Sequence, residues 1–319
     1  MKKIIVVGAG HWGKNLVKNF HELGALAGVA EAHEGLRQAA QEQFSCPTYK
    51  DFRDALPNAD ALVIATPAPT HYSFAKIALE AGKDVFIEKP MTLTTRDARD
   101  LAEMSDAKQN ILMVGHLLLY QPAIAWIRDY LQSGQAGQVW HVSTKRAKLG
   151  KVRSQENVWW SFAPHDVSVI LELLDRPKLN LVTAQGQAML QQGIEDDVHV
   201  SLHFEGNKTA HIHSSWYWPQ NERSTTILAE KKMIVYNEIT QSVTIYDKGI
   251  NPDLTERDQG SFVADVASGQ PLRLECEHFL HCLETRERPR SDGWNGVAVV
   301  DILEKAQEAM KKNEGKLYV

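Results

Sequence analysis

The sequence predicts an α/β protein, with a doubly wound parallel sheet at the amino-terminal end and an α+β domain with a mainly antiparallel, open sheet behind it. Three observations carry this. Short apolar runs alternate with amphipathic segments from Ile4 to Val114; a glycine turn joins the first run to the first helical pattern; and after residue 121 strand-like runs follow one another across short turns.

In order, Ile4–Val7, Ala27–Ala30, Ala61–Ala65, Asp84–Ile87 and Ile111–Val114 read as strands, with Asn15–Leu23, Ser73–Ala81 and Thr95–Met104 as helices among them. Strands that are apolar throughout belong in a parallel sheet covered on both faces. Beyond Tyr120-Gln121-Pro122, a helix over Ala123–Gln132 ends at Gly134, and a second helical pattern over Val167–Leu174 follows Pro164. The runs Leu181–Met189, Val198–Phe204, Lys208–Ser215, Thr225–Ala229, Met233–Asn237 and Val243–Tyr246 are joined by turns such as Gly206-Asn207 and Lys231-Lys232, which suits antiparallel neighbours. Leu272–Thr285 and Gly293–Lys312 read as closing helices.

A chain of 319 residues is long enough for two cores, and 43% hydrophobic with 24% charged residues is ordinary for a globular protein. The net charge of -5 argues against a nucleic-acid partner. No apolar stretch approaches the roughly 20 residues of a membrane span, so no membrane partner is expected. Cys46, Cys276 and Cys282 form neither an even disulfide set nor a zinc spacing, and a cytoplasmic location is expected from that.

Gly8-Ala9-Gly10-His11-Trp12-Gly13 follows a strand and opens a helix. Glycines at these spacings let the chain turn tightly, bring its backbone close to a pyrophosphate and pack the helix on the sheet, while the helix start attracts the anion. Glu31, ending the second strand, stands near the offset of a carboxylate that binds a ribose diol. A carboxylate there repels a ribose phosphate, so NAD is expected rather than NADP. Residues 1–121 are read as the NAD-binding Rossmann domain, and 122–319 as the substrate-binding and oligomerisation domain.

Two loops, Thr66-Pro67-Ala68-Pro69-Thr70-His71 and Glu88-Lys89-Pro90, follow strands and should lie at the carboxyl edge of the sheet, where ligands bind. With the glycine turn, Gly115-His116, Pro122 and Ala163-Pro164-His165-Asp166, they resemble the glucose-fructose oxidoreductase, inositol dehydrogenase and rhizopine-catabolism family over essentially the whole chain. The resemblance implies an enzyme whose cofactor site includes Gly8, Gly10, His11, Trp12, Gly13, Glu31, Thr66, Pro67, His71, Glu88 and Lys89. It also implies a Lys89 that touches both the reacting hydroxyl and the nicotinamide side, with a cis peptide before Pro90.

Oxidising a carbinol removes a hydride and the hydroxyl proton, so a donor and a base must meet at one oxygen. Lys89 and His165 are the expected catalytic pair. His165, just after Pro164 at an expected helix start, would feel the positive end of the dipole and stay neutral. Where family members commonly carry an aspartate four residues earlier, this chain has Ser161, and Asp166 should point elsewhere on the helix.

Apolar Leu117-Leu118-Leu119 stands where many polyol-oxidising members carry a polar run. Gly115-His116 and the Trp159–Asp166 stretch resemble the sugar-nucleotide branch, which implies oxidation of the 3-hydroxyl of a UDP-linked N-acetylhexosamine such as UDP-N-acetylglucosamine. Expected substrate contacts are Lys89, His116, Tyr120, Asn157, Trp160, Ser161 and His165, with Arg146, Arg153 and Arg223 for phosphate and Tyr217 for stacking. A homodimer or homotetramer through the open sheet face and a downstream aminotransferase are the expected partners. No metal is expected: His199, His203, His211, His213, His278 and His281 find no carboxylate spacing that completes a site. The rival readings are a dehydrogenase of an unphosphorylated sugar or polyol, and a non-catalytic dinucleotide sensor.

Overall fold

The computed structural model describes residues 2–313. Six strands, β1 (Ile4–Val7), β2 (Leu26–Ala30), β3 (Thr48–Tyr49), β4 (Ala61–Ile64), β5 (Asp84–Glu88) and β6 (Leu112–Gly115), form a parallel sheet in the order β3-β2-β1-β4-β5-β6. Every residue of β1, β4, β5 and β6 is buried, which is why these strands are apolar on both faces, apart from the charged ends Asp84 and Glu88 of β5. The strand order reverses between β1 and β4, creating the crevice at the carboxyl edge where doubly wound sheets bind ligands.

The helices of this sheet are α1 (Gly13–Glu22), α2 (Glu34–Phe44), α3 (His71–Glu80) and α4 (Thr95–Lys108). Thr94 caps α4 by accepting from the Asp97 amide. Nothing in the sequence marks α2, because it buries only Ala40 and so carries almost no apolar stripe.

After α5 (Pro122–Gln132) comes the second sheet: β7 (Val139–Ala147), then α6 (Val158–Leu173), β8 (Leu179–Gln187), β9 (Asp197–Phe204), β10 (Thr209–Ser215), β11 (Glu222–Ala229), β12 (Met233–Asn237), β13 (Ser242–Ile250) and β14 (Glu256–Val263). Its order is β14-β13-β12-β11-β7-β10-β9-β8, antiparallel except for the β7 and β10 pair. Along β9, Val198, Val200, Leu202 and Phe204 are buried while His199 and His203 are exposed, so one face packs and the other is open. Because β7 and β10 run parallel, their outgoing loops emerge at one edge, where β9 and β11 also begin.

Two closing helices follow, α7 (Pro271–Thr285) and α8 (Gly293–Asn313). Contacts divide the described residues into two compact units: 2–120 with Gln270–Asp301, and Gln121–Gly269 with 302–313. A single boundary at 121/122 is what the residues predict; the chain passes between the units three times, since Gln270–Asp301 returns to the first. Packing explains the return. Phe279 of α7 meets Phe20 of α1 and Phe86 of β5 edge-on, at 6.4 and 5.6 Å between ring centres, and the Val114 amide donates to the Ser291 carbonyl at 2.7 Å. No helix among the described residues is long and apolar enough to cross a membrane.

Candidate active site

The glycine turn divides its work as the spacing implies. Gly8 has φ +95°, and a Cβ there would lie 2.9 Å from the Ala65 carbonyl oxygen; a Cβ on Gly13 would overlap the Gly8 carbonyl oxygen. Gly10 has no atom within 4 Å of an added Cβ, so its backbone faces open space. No side chain caps α1; the Lys14 and Asn15 amides donate to the Gly10 and Trp12 carbonyls at 3.2 and 2.9 Å, and the helix start with its dipole faces the turn. Glu31 lies against this turn: its Oε2 accepts from the Ala9 amide at 2.7 Å and its Oε1 from the His33 amide at 2.9 Å. An open pyrophosphate approach, an uncapped helix start and a carboxylate fixed at the ribose position fit a dinucleotide. Arg37, which no sequence motif marks, donates from Nη1 to the Glu31 and Ala32 carbonyls and braces the strand end.

Trp12 reaches from the turn to the next crossover. Its indole donates to Glu88 Oε1 at 2.5 Å, while Glu88 Oε2 accepts the Lys89 amide at 3.2 Å. Burial pushes the Glu88 carboxyl above its usual range, opposed by the Trp12 hydrogen bond and the Lys89 charge. Gly115 is a glycine because a Cβ there would come within 3.1 Å of the Glu88 carboxylate. The Lys89-Pro90 peptide is cis.

His71 was expected to touch the cofactor, but its ring is engaged by its own chain: Nδ1 lies 2.8 Å from the Pro90 carbonyl oxygen and Nε2 2.8 Å from that of Thr66. It ties the Thr66-Pro67 loop to the Lys89-Pro90 peptide and so positions Lys89. Thr66 Oγ1 is joined to Thr70 Oγ1 at 2.7 Å, closing the same loop. His11 stays exposed on the turn.

His116 is buried, with Nδ1 2.7 Å from Asn295 Oδ1 on α8. Burial, and secondarily the Lys89 charge, hold its imidazole down to about 4, so it is neutral near pH 7. Asn295, 179 residues away in sequence, gave no signal to sequence reasoning. Tyr120 needs correction as a substrate contact: its hydroxyl is buried 3.0 Å from Ser291 Oγ, and its ring packs on His278 and Arg290.

In the second unit, α6 begins at Val158, capped by Asn157, whose Oδ1 accepts the Trp160 amide at 3.1 Å. His165 therefore sits two turns inside the helix and not at its start, and Pro164 lies within the helix; the dipole argument for a neutral His165 does not hold, because that effect fades within the first turn. Ser161 stands one turn before His165 on the same face. Asn157 also donates to Glu195 at 2.5 Å and Gln307 at 2.7 Å, so it is a structural cap rather than the expected substrate ligand.

Arg146 is likewise corrected. Its buried guanidinium makes four hydrogen bonds, two to Asp166 at 2.9 and 3.2 Å and two to Glu238 at 3.2 and 2.7 Å, and has no fork left for phosphate. Asp166 thus points to β7, away from the His165 face, as its helix position implied. Arg223 shares Glu238 at 3.2 Å from the rim. Half-exposed Tyr217, Arg153 on the loop after β7, and partly exposed Trp160 remain open at the common edge of β7 and β10.

A cavity of about 450 Å³ lies elsewhere, at the amino end of β6, where Arg286 pairs with Asp84 and Arg288 with Asp106 and Asp292. One group with metal-ligand chemistry stands out among the described residues, Asp197, His199 and His213. The carboxylate missing from the sequence reading is Asp197, two residues before His199 and opposite Ser215 across the hairpin.

A doubly wound unit with a glycine turn, a ribose-position carboxylate and a strand-end lysine defines a dinucleotide-dependent oxidoreductase. Residues 2–116 match the oxidoreductase family model with the NAD-binding Rossmann fold, and residues 124–235 match the GFO/IDH/MocA C-terminal domain. The chain belongs to the Gfo/Idh/MocA oxidoreductase family, and its cofactor is NAD. The UDP-N-acetylglucosamine 3-dehydrogenase of Acidithiobacillus ferrooxidans is 25% identical over 299 residues, 92% of this chain and 93% of that protein. A solved structure of that enzyme aligns with TM-score 0.89 at 24% identity, covering 99% of both chains. The scyllo-inositol 2-dehydrogenase (NAD(+)) of Bacillus subtilis is 24% identical over 81% of this chain and 77% of its own length.

Proposed function

We propose that this NAD-dependent sugar dehydrogenase oxidises the 3-hydroxyl of a UDP-linked N-acetylhexosamine, with UDP-N-acetylglucosamine as the substrate, to the 3-keto sugar. The observation that carries the reading is the near full-length similarity to the UDP-N-acetylglucosamine 3-dehydrogenase of A. ferrooxidans. Hydride from carbon 3 goes to the nicotinamide that NAD supplies. The hydroxyl proton is handled by this chain's Lys89 and His165. The Trp12 to Glu88 hydrogen bond and the His71 clamp fix the peptide that carries Lys89. Neutral His116, near enough for the Lys89 charge to depress it, adds no competing positive charge. Arg153 and Arg223 are the donors for the diphosphate, and Tyr217 offers an exposed ring to the base or sugar. The product, a ketone, is the class of compound that an aminotransferase consumes. Self-association as a homodimer or homotetramer uses the outer face of the eight-stranded sheet, where Leu181 and Val263 are exposed.

An unphosphorylated sugar or polyol is the second reading, favoured by the internal commitment of Arg146 and by the B. subtilis relative. NADH release from UDP-N-acetylglucosamine, and none from N-acetylglucosamine or inositols, supports the first reading; the reverse pattern supports the second. Lys89→Ala should abolish turnover and keep NAD affinity. Full turnover in that variant removes Lys89 from the chemistry, while NAD binding without reduction of any sugar supplied to the parent protein would point to a dinucleotide sensor.

A further inference from the structure

We propose that Asp197, His199 and His213, on the outer face of the second sheet, form a binding site for one divalent transition-metal ion of the zinc class. The backbone register builds it. Asp197 and His199 are two residues apart on β9 and so project to the same face, and His213 on β10 stands directly opposite His199 in the antiparallel pair. Asp-x-His on one strand and His on its neighbour is a three-ligand set that needs no loop to close it.

The distances suit an ion. The His213 and His199 Nε2 atoms lie 3.0 and 3.4 Å from the two Asp197 carboxylate oxygens, and one ligand atom from each residue falls within 4.8 Å of the others. Around a tetrahedral ion with bonds near 2.0–2.1 Å, neighbouring ligand atoms are about 3.3–3.4 Å apart, so small side-chain rotations close the set. The two imidazoles are already parallel, 4.0 Å between centres and 12° between planes, with both Nε2 atoms turned to the same carboxylate.

The surroundings hold the group in place. Trp218 meets the His213 ring edge-on, and the nearest cation, Lys145, is paired with Glu222 at 2.8 Å, which offsets its charge. The ligands are two nitrogens and one oxygen, and that chemistry selects zinc, cobalt or nickel over magnesium. An ion here would tie β9 to β10.

The test uses the full-length protein, stripped with chelator and dialysed, with zinc chloride as titrant in calorimetry and cobalt chloride as a spectroscopic probe. Binding of one ion per chain at micromolar concentration is expected, with at least about tenfold weaker affinity in both His199→Ala and Asp197→Asn. His203→Ala, an exposed histidine on the same strand outside the group, should bind as the parent does. Zinc should raise the melting temperature of the parent and not of the two ligand variants, while magnesium raises neither. Unchanged affinity in His199→Ala, more than one equivalent site, or binding only at millimolar zinc would overturn the assignment. No outcome depends on the dehydrogenase reaction.

Discussion

Replacing Arg146 by methionine separates the two roles that a buried arginine at this edge can play. The structure gives its guanidinium four hydrogen bonds to Asp166 and Glu238, and the change leaves both carboxylates inside the second unit, with only Arg223, at 3.2 Å from Glu238, still in reach. Removing one partner of a buried ion pair costs about 3–5 kcal/mol, because the remaining charge is stranded. For a unit of this size that is a fall in melting temperature of about 6–20 °C. Thermal unfolding followed by circular dichroism, with steady-state kinetics in parallel, reads both roles. The triple variant Arg146→Met, Asp166→Leu, Glu238→Leu should regain most of the lost stability, since an apolar set of similar volume has no charge to strand. An unchanged melting temperature with a raised KM for the nucleotide sugar would refute the structural role and return Arg146 to the substrate.

The glycine turn separates stability from cofactor binding. Gly10→Ala should melt like the parent and bind NAD more weakly, because only the dinucleotide would meet the new methyl, whereas Gly13→Ala should lose stability through overlap with the Gly8 carbonyl; differential scanning fluorimetry with and without NAD reads both. His116 is held down to about 4 in the folded chain against about 6.5 unfolded, so the unfolded state takes up the extra proton and acidification from pH 7 to 4 should cost about 3 kcal/mol through this group. Urea titrations across that range should give a shallower decline for His116→Gln; parallel curves would refute the assignment. Ser161→Asp places a carboxylate one turn before His165 and should move the acidic limb of the kcat/KM pH profile upward, a shift absent from Ser161→Asn.

Much of the architecture is legible in the residues because burial on two faces leaves a strong trace: β1, β4 and β6 are apolar throughout, β5 is apolar between Asp84 and Glu88, and the alternation along β9 shows its open face. Elements with little burial leave none, as with α2, and with β14, which has no buried residue. At the site, Gly8 and Gly13 could be read because local backbone geometry requires glycine at both. Arg146, Asn157 and Tyr120 were misassigned because their true partners, Glu238, Gln307 and Ser291, lie 92, 150 and 171 residues away, and a polar side chain does not reveal in sequence whether its partner is a ligand or its own chain. Pro164 misled for a related reason. Proline usually marks a first turn, but α6 tolerates it midway.

The return of Gln270–Asp301 to the first unit bears on how the protein is made. A ribosome releases β1 to β6 long before α7 exists, and at roughly 5–20 residues per second the nascent parallel sheet waits roughly 8–33 s for Phe279 to shield Phe20 and Phe86. During that interval a chaperone has an apolar surface to hold. A fragment stopped at residue 121 would keep the glycine turn and stay permanently in that unfinished condition, so a truncated cofactor-binding piece needs the returning segment grafted to it before it can fold cleanly.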